Sequence, residues 1–423
     1  MKKSTCILAG LLILLAFAGS ASAADKVWAN TGTDYNTTGN WTGGLPGTGD
    51  AAVFSSAVTN QPVLNGTIQN QQIRFTTLTG GWTLSGASAL TLTSVGTGTA
   101  AGTGSAIVST NTSGTNTISA PIILGQGAGS TATFYQAALG ALVISGNISS
   151  ANAIAGLSLV PSNASPITLS GNNTYSGNTT INYTSATTLN INSATALSSG
   201  TLVNTGSATL TLNNTSGSAV TLTNNNNLDY SAGGATQGLT FAGTSNLSFG
   251  SGTLTIGQTS RTLSITAGTL TFGSIGSTST STTLTKSQIG TLAITGAAGA
   301  NFQGGTTLSA GGGTLLIGNK TSLGTGSLTI LGGTLSSSAD LSGANAVANN
   351  VAMNASLTIG GSANLTLSGN ITLNNSRTLT SSNAGATDLS GNIYLSNIGG
   401  TGYTMTINGA QSMTISGAIL TWQ

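Results

Sequence analysis

The sequence predicts an all-β chain wound as a β-solenoid with a small N-terminal cap, and three observations carry that expectation. First, only 3% of its 423 residues are charged, with no Glu and no His, so the residues that favour exposed helix faces are nearly absent. What remains is rich in Thr, Ser, Asn, Leu and Ile, with 62 Gly, a strand-and-turn vocabulary. Second, apolar residues alternate with Thr at period two. Leu90-Thr91-Leu92-Thr93, Ala208-Thr209-Leu210-Thr211-Leu212, Leu254-Thr255-Ile256, Leu365-Thr366-Leu367 and Met405-Thr406-Ile407 all read as half-buried strands. Gly, Asn and Ser clusters punctuate them, which fits a series of sandwiches, a barrel or a solenoid.

Third, internal repetition separates these. Ile167-Thr168-Leu169-Ser170-Gly171, Tyr175-Ser176-Gly177-Asn178-Thr179-Thr180-Ile181 and Ala196-Leu197-Ser198-Ser199-Gly200-Thr201-Leu202 follow in order. Leu292-Ala293-Ile294-Thr295-Gly296, Phe302-Gln303-Gly304-Gly305-Thr306-Thr307-Leu308 and Ser322-Leu323-Gly324-Thr325-Gly326-Ser327-Leu328 match them block by block, 125 to 127 residues on. A shorter unit recurs as Ile144-Ser145-Gly146-Asn147-Ile148, Leu367-Ser368-Gly369-Asn370-Ile371, Leu389-Ser390-Gly391-Asn392-Ile393 and Ile415-Ser416-Gly417-Ala418-Ile419.

In chain order, residues 1–23 have the form of a secretory signal peptide. Lys2 and Lys3 precede an 11-residue apolar run, Ile7 to Phe17, too short to span a bilayer. Ala21-Ser22-Ala23 supplies the small residues of a cleavage site. Cys6 stands ahead of the apolar run, where lipidation does not use it, and leaves with the leader. Cleavage also removes two lysines, so the net charge of +2 falls to zero, six basic residues against six Asp. Residues 24–60 are expected to cap the solenoid. Trp28 and Trp41 would cover the first coil rather than form a carbohydrate platform, because an uncapped coil offers an open strand edge. Residues 61–423 form the repeat region, clearest over 167–202 and 284–335. No similar cap is visible near Gln423, so association through that end is expected.

These residues resemble a known family. The run Ile167 to Ile181, followed by Ala196-Leu197 with Gly200 and Leu202, looks like the autotransporter-associated β-strand repeat of large secreted bacterial surface proteins. Leu284 to Leu335 is similar. Trp28, Asn40-Trp41, Leu45-Pro46-Gly47, Asp50 and Phe54 resemble the start of mature proteins that carry such repeats. The resemblance implies a right-handed parallel β-helix, a passenger-type protein that is exported and displayed, and no catalytic residues. The chain departs from autotransporters at its C-terminal side, where no translocator barrel is visible. With 15 Phe and Tyr and four Trp in all, aromatic girdles cannot be furnished. Display would rest on a separate outer-membrane translocator or on sequence beyond Gln423.

Stacking accounts for the composition. Coils of a parallel β-helix lie about 4.8 Å apart; at roughly 22 residues per coil the chain from Ala24 would make about 18 coils in a rod near 80 Å long. Inward positions repeat apolar residues. Outward positions use Thr and Ser, because like charges in register repel. Asn is expected to form side-chain amide ladders at the turns.

The same composition excludes much chemistry. Without His there is no imidazole base, ligand or pH switch, and a neutral chain has no basic patch for nucleic acid. No metal or cofactor is expected, since no Asp-x-Asp or calcium-loop spacing occurs. Asp229, Asp340 and Asp388 are 111 and 48 residues apart, where stacking needs separations near one coil. Asp34 and Asp50 fall in the cap, and no catalytic residue is assigned. Thr-x-Thr at Thr91, Thr209, Thr221, Thr253, Thr269, Thr378 and Thr404 recurs at intervals of 12 to 118 residues, too irregular for a flat ice-matching face. No transmembrane segment follows the leader. The expected protein is secreted or on the outer cell surface, non-enzymatic, adhesin-like or structural. Its neutral Thr/Ser/Asn-rich rod would make multivalent contacts with other cells, polysaccharide or itself. The alternative is a polysaccharide-active β-helix enzyme, a lyase or glycosidase, which would need carboxylates converging in one groove.

Overall fold

Short alternating strands cannot bury their apolar side within one turn, so each pairs with its counterpart a whole turn away. The computed structural model describes residues 24–94, 104–154, 156–162, 164–232, 237–257, 260–396 and 401–421; the expected signal peptide, 1–23, lies outside them. Within them the chain is a parallel β-solenoid of about 16 turns. Each turn crosses three faces. The first face carries a 12-stranded sheet and, further along, a three-stranded one; the second is one 15-stranded sheet; the third carries a four-stranded and then a nine-stranded sheet. On the second face Leu142, Ile167, Leu189, Leu212, Phe241 and Ile265 stack on successive coils. All are sealed from solvent, and each such side chain contributes about 1.5–3 kcal/mol of burial.

The coils are longer and fewer than a uniform 22-residue period predicts. Met353 meets Leu373 after 20 residues, whereas Ile73 meets Ile107 after 34. At ~4.8 Å per coil, about 16 turns give a rod of roughly 77 Å.

The two sequence repeats share a local structure but not a face. In the first copy, Pro166–Leu169 lies on the second face, Asn178–Ile181 on the first, Thr187–Ile191 on the second and Leu202–Asn204 on the first. Tyr175 and Leu197 turn inward between them on the third. In the second copy, Thr291–Ile294 lies on the third face, Thr306–Leu308 on the second, Thr314–Ile317 on the third and Leu328–Ile330 on the second. Here Phe302 and Leu323 turn inward on the first. All four of these inward side chains are buried. The copies are thus five coils and one face apart, and both faces lose their regular strands where the inward-turning corners occur.

The recurring Ser-Gly unit marks a different corner, where consecutive coils touch backbone to backbone. A Cβ at Gly171 would stand 2.2 Å from the carbonyl oxygen of Gly146, and one at Gly391 or Gly417 would stand 2.0 Å from that of Gly369 or Gly391 respectively. The requirement at these corners is space rather than a left-handed backbone.

Asparagines do not form the expected amide ladders as a rule. Their side-chain oxygens mostly accept backbone N–H groups of the next coil: Asn147 from Asn172, Asn178 from Thr201, Asn227 from Thr253 and Asn246 from Thr269, at 2.8–3.0 Å. Coils of unequal length put successive Asn out of register, and corner N–H groups that have left the ladder need an acceptor. Gln136 on Asn111, at 3.1 Å, is an exception.

At the N-terminal end, Ala24–Trp28 starts the first face by pairing parallel to Asp50–Phe54, and Trp41–Thr42 runs antiparallel along its outer edge. Trp28 and Trp41 are 1% and 5% exposed, an edge-to-face pair with ring centres 5.0 Å apart. Tyr35, Phe54, Phe75 and Trp82 complete the buried cluster. The Trp28 indole donates to Asn60 O at 3.1 Å and that of Trp41 to Tyr35 O at 2.7 Å. At the other end, the last described coil leaves Ile407, Ile419 and Leu420 exposed.

Two of the few cations point inward. Lys286 occupies an apolar ladder between Leu263 and Leu308 and is fully buried. Its Nζ donates to the carbonyls of Ser287 (3.3 Å), Gln288 (2.5 Å) and Gly290 (2.5 Å). Burial pushes the ammonium down from 10.5 to about 8. Arg261 is buried one coil earlier, 5.6 Å from the centre of the Tyr230 ring.

Candidate binding groove

The carboxylates come first, since acid–base chemistry here would have to use them. Near the N-terminus they close turns or pair. Asp34 accepts Asn36 N–H at 3.0 Å, Asp50 accepts Gly47 N–H at 2.9 Å, and Asp25 pairs with Arg74 at 2.7 Å. Asp229 sits on the first face between Val203 and Thr255 and accepts Ser231 N–H at 2.9 Å. Asp340 and Asp388 are on the same face, but Asp340 is five coils further on, about 24 Å along the rod. Asp388 is two coils beyond Asp340, about 10 Å. The Ser342 hydroxyl, with the Asn364 amide, holds the Asp340 carboxyl below its usual range. A general acid needs the opposite shift. Among the described residues no three His, Cys, Asp or Glu gather as metal ligands.

Asp340 and Asp388 do flank a built feature. Leu365 and Leu367 are neighbours on one strand, yet they bridge to Leu341 and Val347, six residues apart on the preceding coil. The surplus chain leaves the wall as a bulge containing one 3-10 turn, Gly343–Asn345. Asp340 fixes its start by accepting Ser342 N–H at 3.1 Å and Ser342 Oγ at 2.6 Å. Lys320, from the coil before, fixes its crest by donating from Nζ to Ala344 O at 2.9 Å. Beside the bulge runs an open groove of about 590 Å³. Its floor is two adjacent coils, with Thr366 in register with Asp388 and Ser368 and Ser390 beside them. Both Asp388 oxygens accept Ser416 Oγ, at 2.9 Å each.

The sequence pointed to Asp340 and Asp388 only as isolated carboxylates, and it did not single out Lys320 or the bulge. The available signal was the break in spacing at Leu341 to Val347, legible only once the pairing partner is known. A second feature was also missed. Thr262, Thr285, Thr307 and Thr329 stack in register on the second face, 22 or 23 residues apart. The Thr-x-Thr motifs fall on all three faces, whereas this column is set by coil length.

No family model, curated protein or solved structure matches the chain.

Proposed function

We propose that the protein is an exported, non-enzymatic surface solenoid of the passenger type, adhesin-like or structural, acting by many weak contacts along a neutral rod. The observation that carries this is the outer side of the second face. Along one column Thr262, Thr285, Thr307, Thr329, Ala352, Thr372 and Tyr394 follow each other without a charge. The cations of that sheet's central strands, Arg261 and Lys286, are turned into the core. A hydroxyl surface repeated every ~4.8 Å offers the same weak contact at each coil, and repetition converts weak contacts into avidity. The leader-like residues 1–23 and the repeat resemblance support export. The separation of Asp229 from Asp340 and Asp388 supports contact rather than catalysis. Among the described residues no helix is long and apolar enough to cross a membrane.

The test is adhesion of the purified chain to polysaccharide-coated particles across a salt series. A neutral rod should lose less than about twofold between roughly 0.05 and 0.5 M salt. A steep loss, or release of shortened polysaccharide during the assay, would sink this proposal.

A further inference from the structure

Of the twelve charged residues that follow Ala23, three stand at one bulge: Lys320, Asp340 and Asp388. In a chain so poor in charge, that clustering marks the groove off from the remaining wall. Asp340 is used up in holding the bulge. Lys320 and Asp388 line the groove and keep free capacity. The Lys320 ammonium has three N–H donors and gives one to Ala344 O. The Asp388 carboxylate accepts one hydroxyl across its two oxygens and has lone pairs to spare. Around them stand the hydroxyls of Thr321, Thr366, Ser368 and Ser390.

We propose that this groove is a discrete binding site for a neutral oligosaccharide. A carboxylate with both oxygens accessible accepts two vicinal ring hydroxyls, and a fixed ammonium donates to a third oxygen. Serine and threonine both donate and accept, as sugar hydroxyls do. The three charges at the bulge, one positive and two negative, leave it with a net charge of one negative, so a uronate polymer is disfavoured there relative to a neutral one. No aromatic ring lines the groove among the described residues, so a stacking contribution is missing and affinity is weak, about millimolar. The site is distinct from the uncharged Thr column on the second face and does not require it.

The experiment is saturation-transfer NMR on the full chain with three probes: neutral mannohexaose, neutral cellohexaose and anionic hexagalacturonate. Variants are Asp388→Asn, the double Ser368→Ala/Ser390→Ala, and Thr307→Ala on the second face. Asn keeps an oxygen for Ser416, so Asp388→Asn should fold, and the serine pair provides an independent test. At least one neutral probe should bind saturably and better than hexagalacturonate. Asp388→Asn should weaken it roughly tenfold, the loss of a charged hydrogen-bond acceptor, and Thr307→Ala should not change it. Preference for hexagalacturonate, absence of saturable binding, or unchanged binding in both groove variants would overturn the proposal. Particle adhesion of Asp388→Asn separates the two ideas. Intact adhesion with lost hexasaccharide binding upholds the groove, whereas intact adhesion with unchanged hexasaccharide binding in both groove variants removes the groove and leaves the rod.

Discussion

Gly391→Ala should open the solenoid locally at one corner. The added Cβ would lie 2.0 Å from Gly369 O, 2.5 Å from Gly369 C and 2.8 Å from Ser368 O, all backbone atoms of the preceding coil. On the other side Gly417 presses on Gly391 in the same way, so the residue cannot retreat. Reaching ordinary contact needs the coils to part by more than about 1 Å. That stretches the bonds from Ser390 N and Gly391 N to Leu367 O, now 2.9 and 3.2 Å. Overpacking of this kind costs about 1–3 kcal/mol, and the two weakened hydrogen bonds together add about 1, so about 2–4 kcal/mol is expected. The cost should remain local, because each coil contacts only its neighbours. Amide hydrogen exchange across Leu365 to Ile393 reads it directly. Gly49→Ala is the control, since nothing lies within 4 Å of its Cβ; it should be neutral or slightly stabilising through the unfolded chain. Equal exchange in the two variants would refute the argument that space selects glycine at these corners.

Two further outcomes concern the core. Lys286 has its ammonium lowered from 10.5 to about 8 by burial. Between those values the unfolded chain binds more protons than the folded one, so stability should rise with pH across that window, by at most about 3 kcal/mol. Lys286→Met should flatten the rise in denaturant titrations, and an unchanged slope would exclude the lysine as its source. Trp28→Ala should cost about 3–5 kcal/mol in the first coils, by cavity formation in the aromatic cluster. Unchanged unfolding with lost sugar binding would instead make that cluster a ligand platform.

How much of this was legible depended on whether the signal was local. Leu90-Thr91-Leu92 and Leu254-Thr255-Ile256 announce strands by alternation alone, and both lie in strands with the Leu and Ile inside. The burial of Trp28 follows from the need to cover the open strand edge of the first coil, for which the start of the chain supplies Trp28 and Trp41. By contrast, the Thr262 to Thr329 column and the bulge at Gly343–Asn345 depend on which residue pairs with which, and pairing follows from coil lengths of 20 to 34. The same irregularity explains why Asn serves the neighbouring backbone rather than its own kind. Lys286 enters the sequence reading only as one of six basic residues, because nothing in its immediate sequence shows that its position faces Leu263 and Leu308.

The one-face displacement between the repeats has a mechanical consequence. A duplicated or deleted segment of a third of a turn would preserve every ladder contact beyond it, since corner and strand are accepted on any side of the triangle. Everything downstream would still be rotated by about 120° relative to the N-terminal cap. Changes of length in such a chain therefore set azimuth as well as extension. The groove could be aimed toward or away from a supporting surface without altering a single core residue.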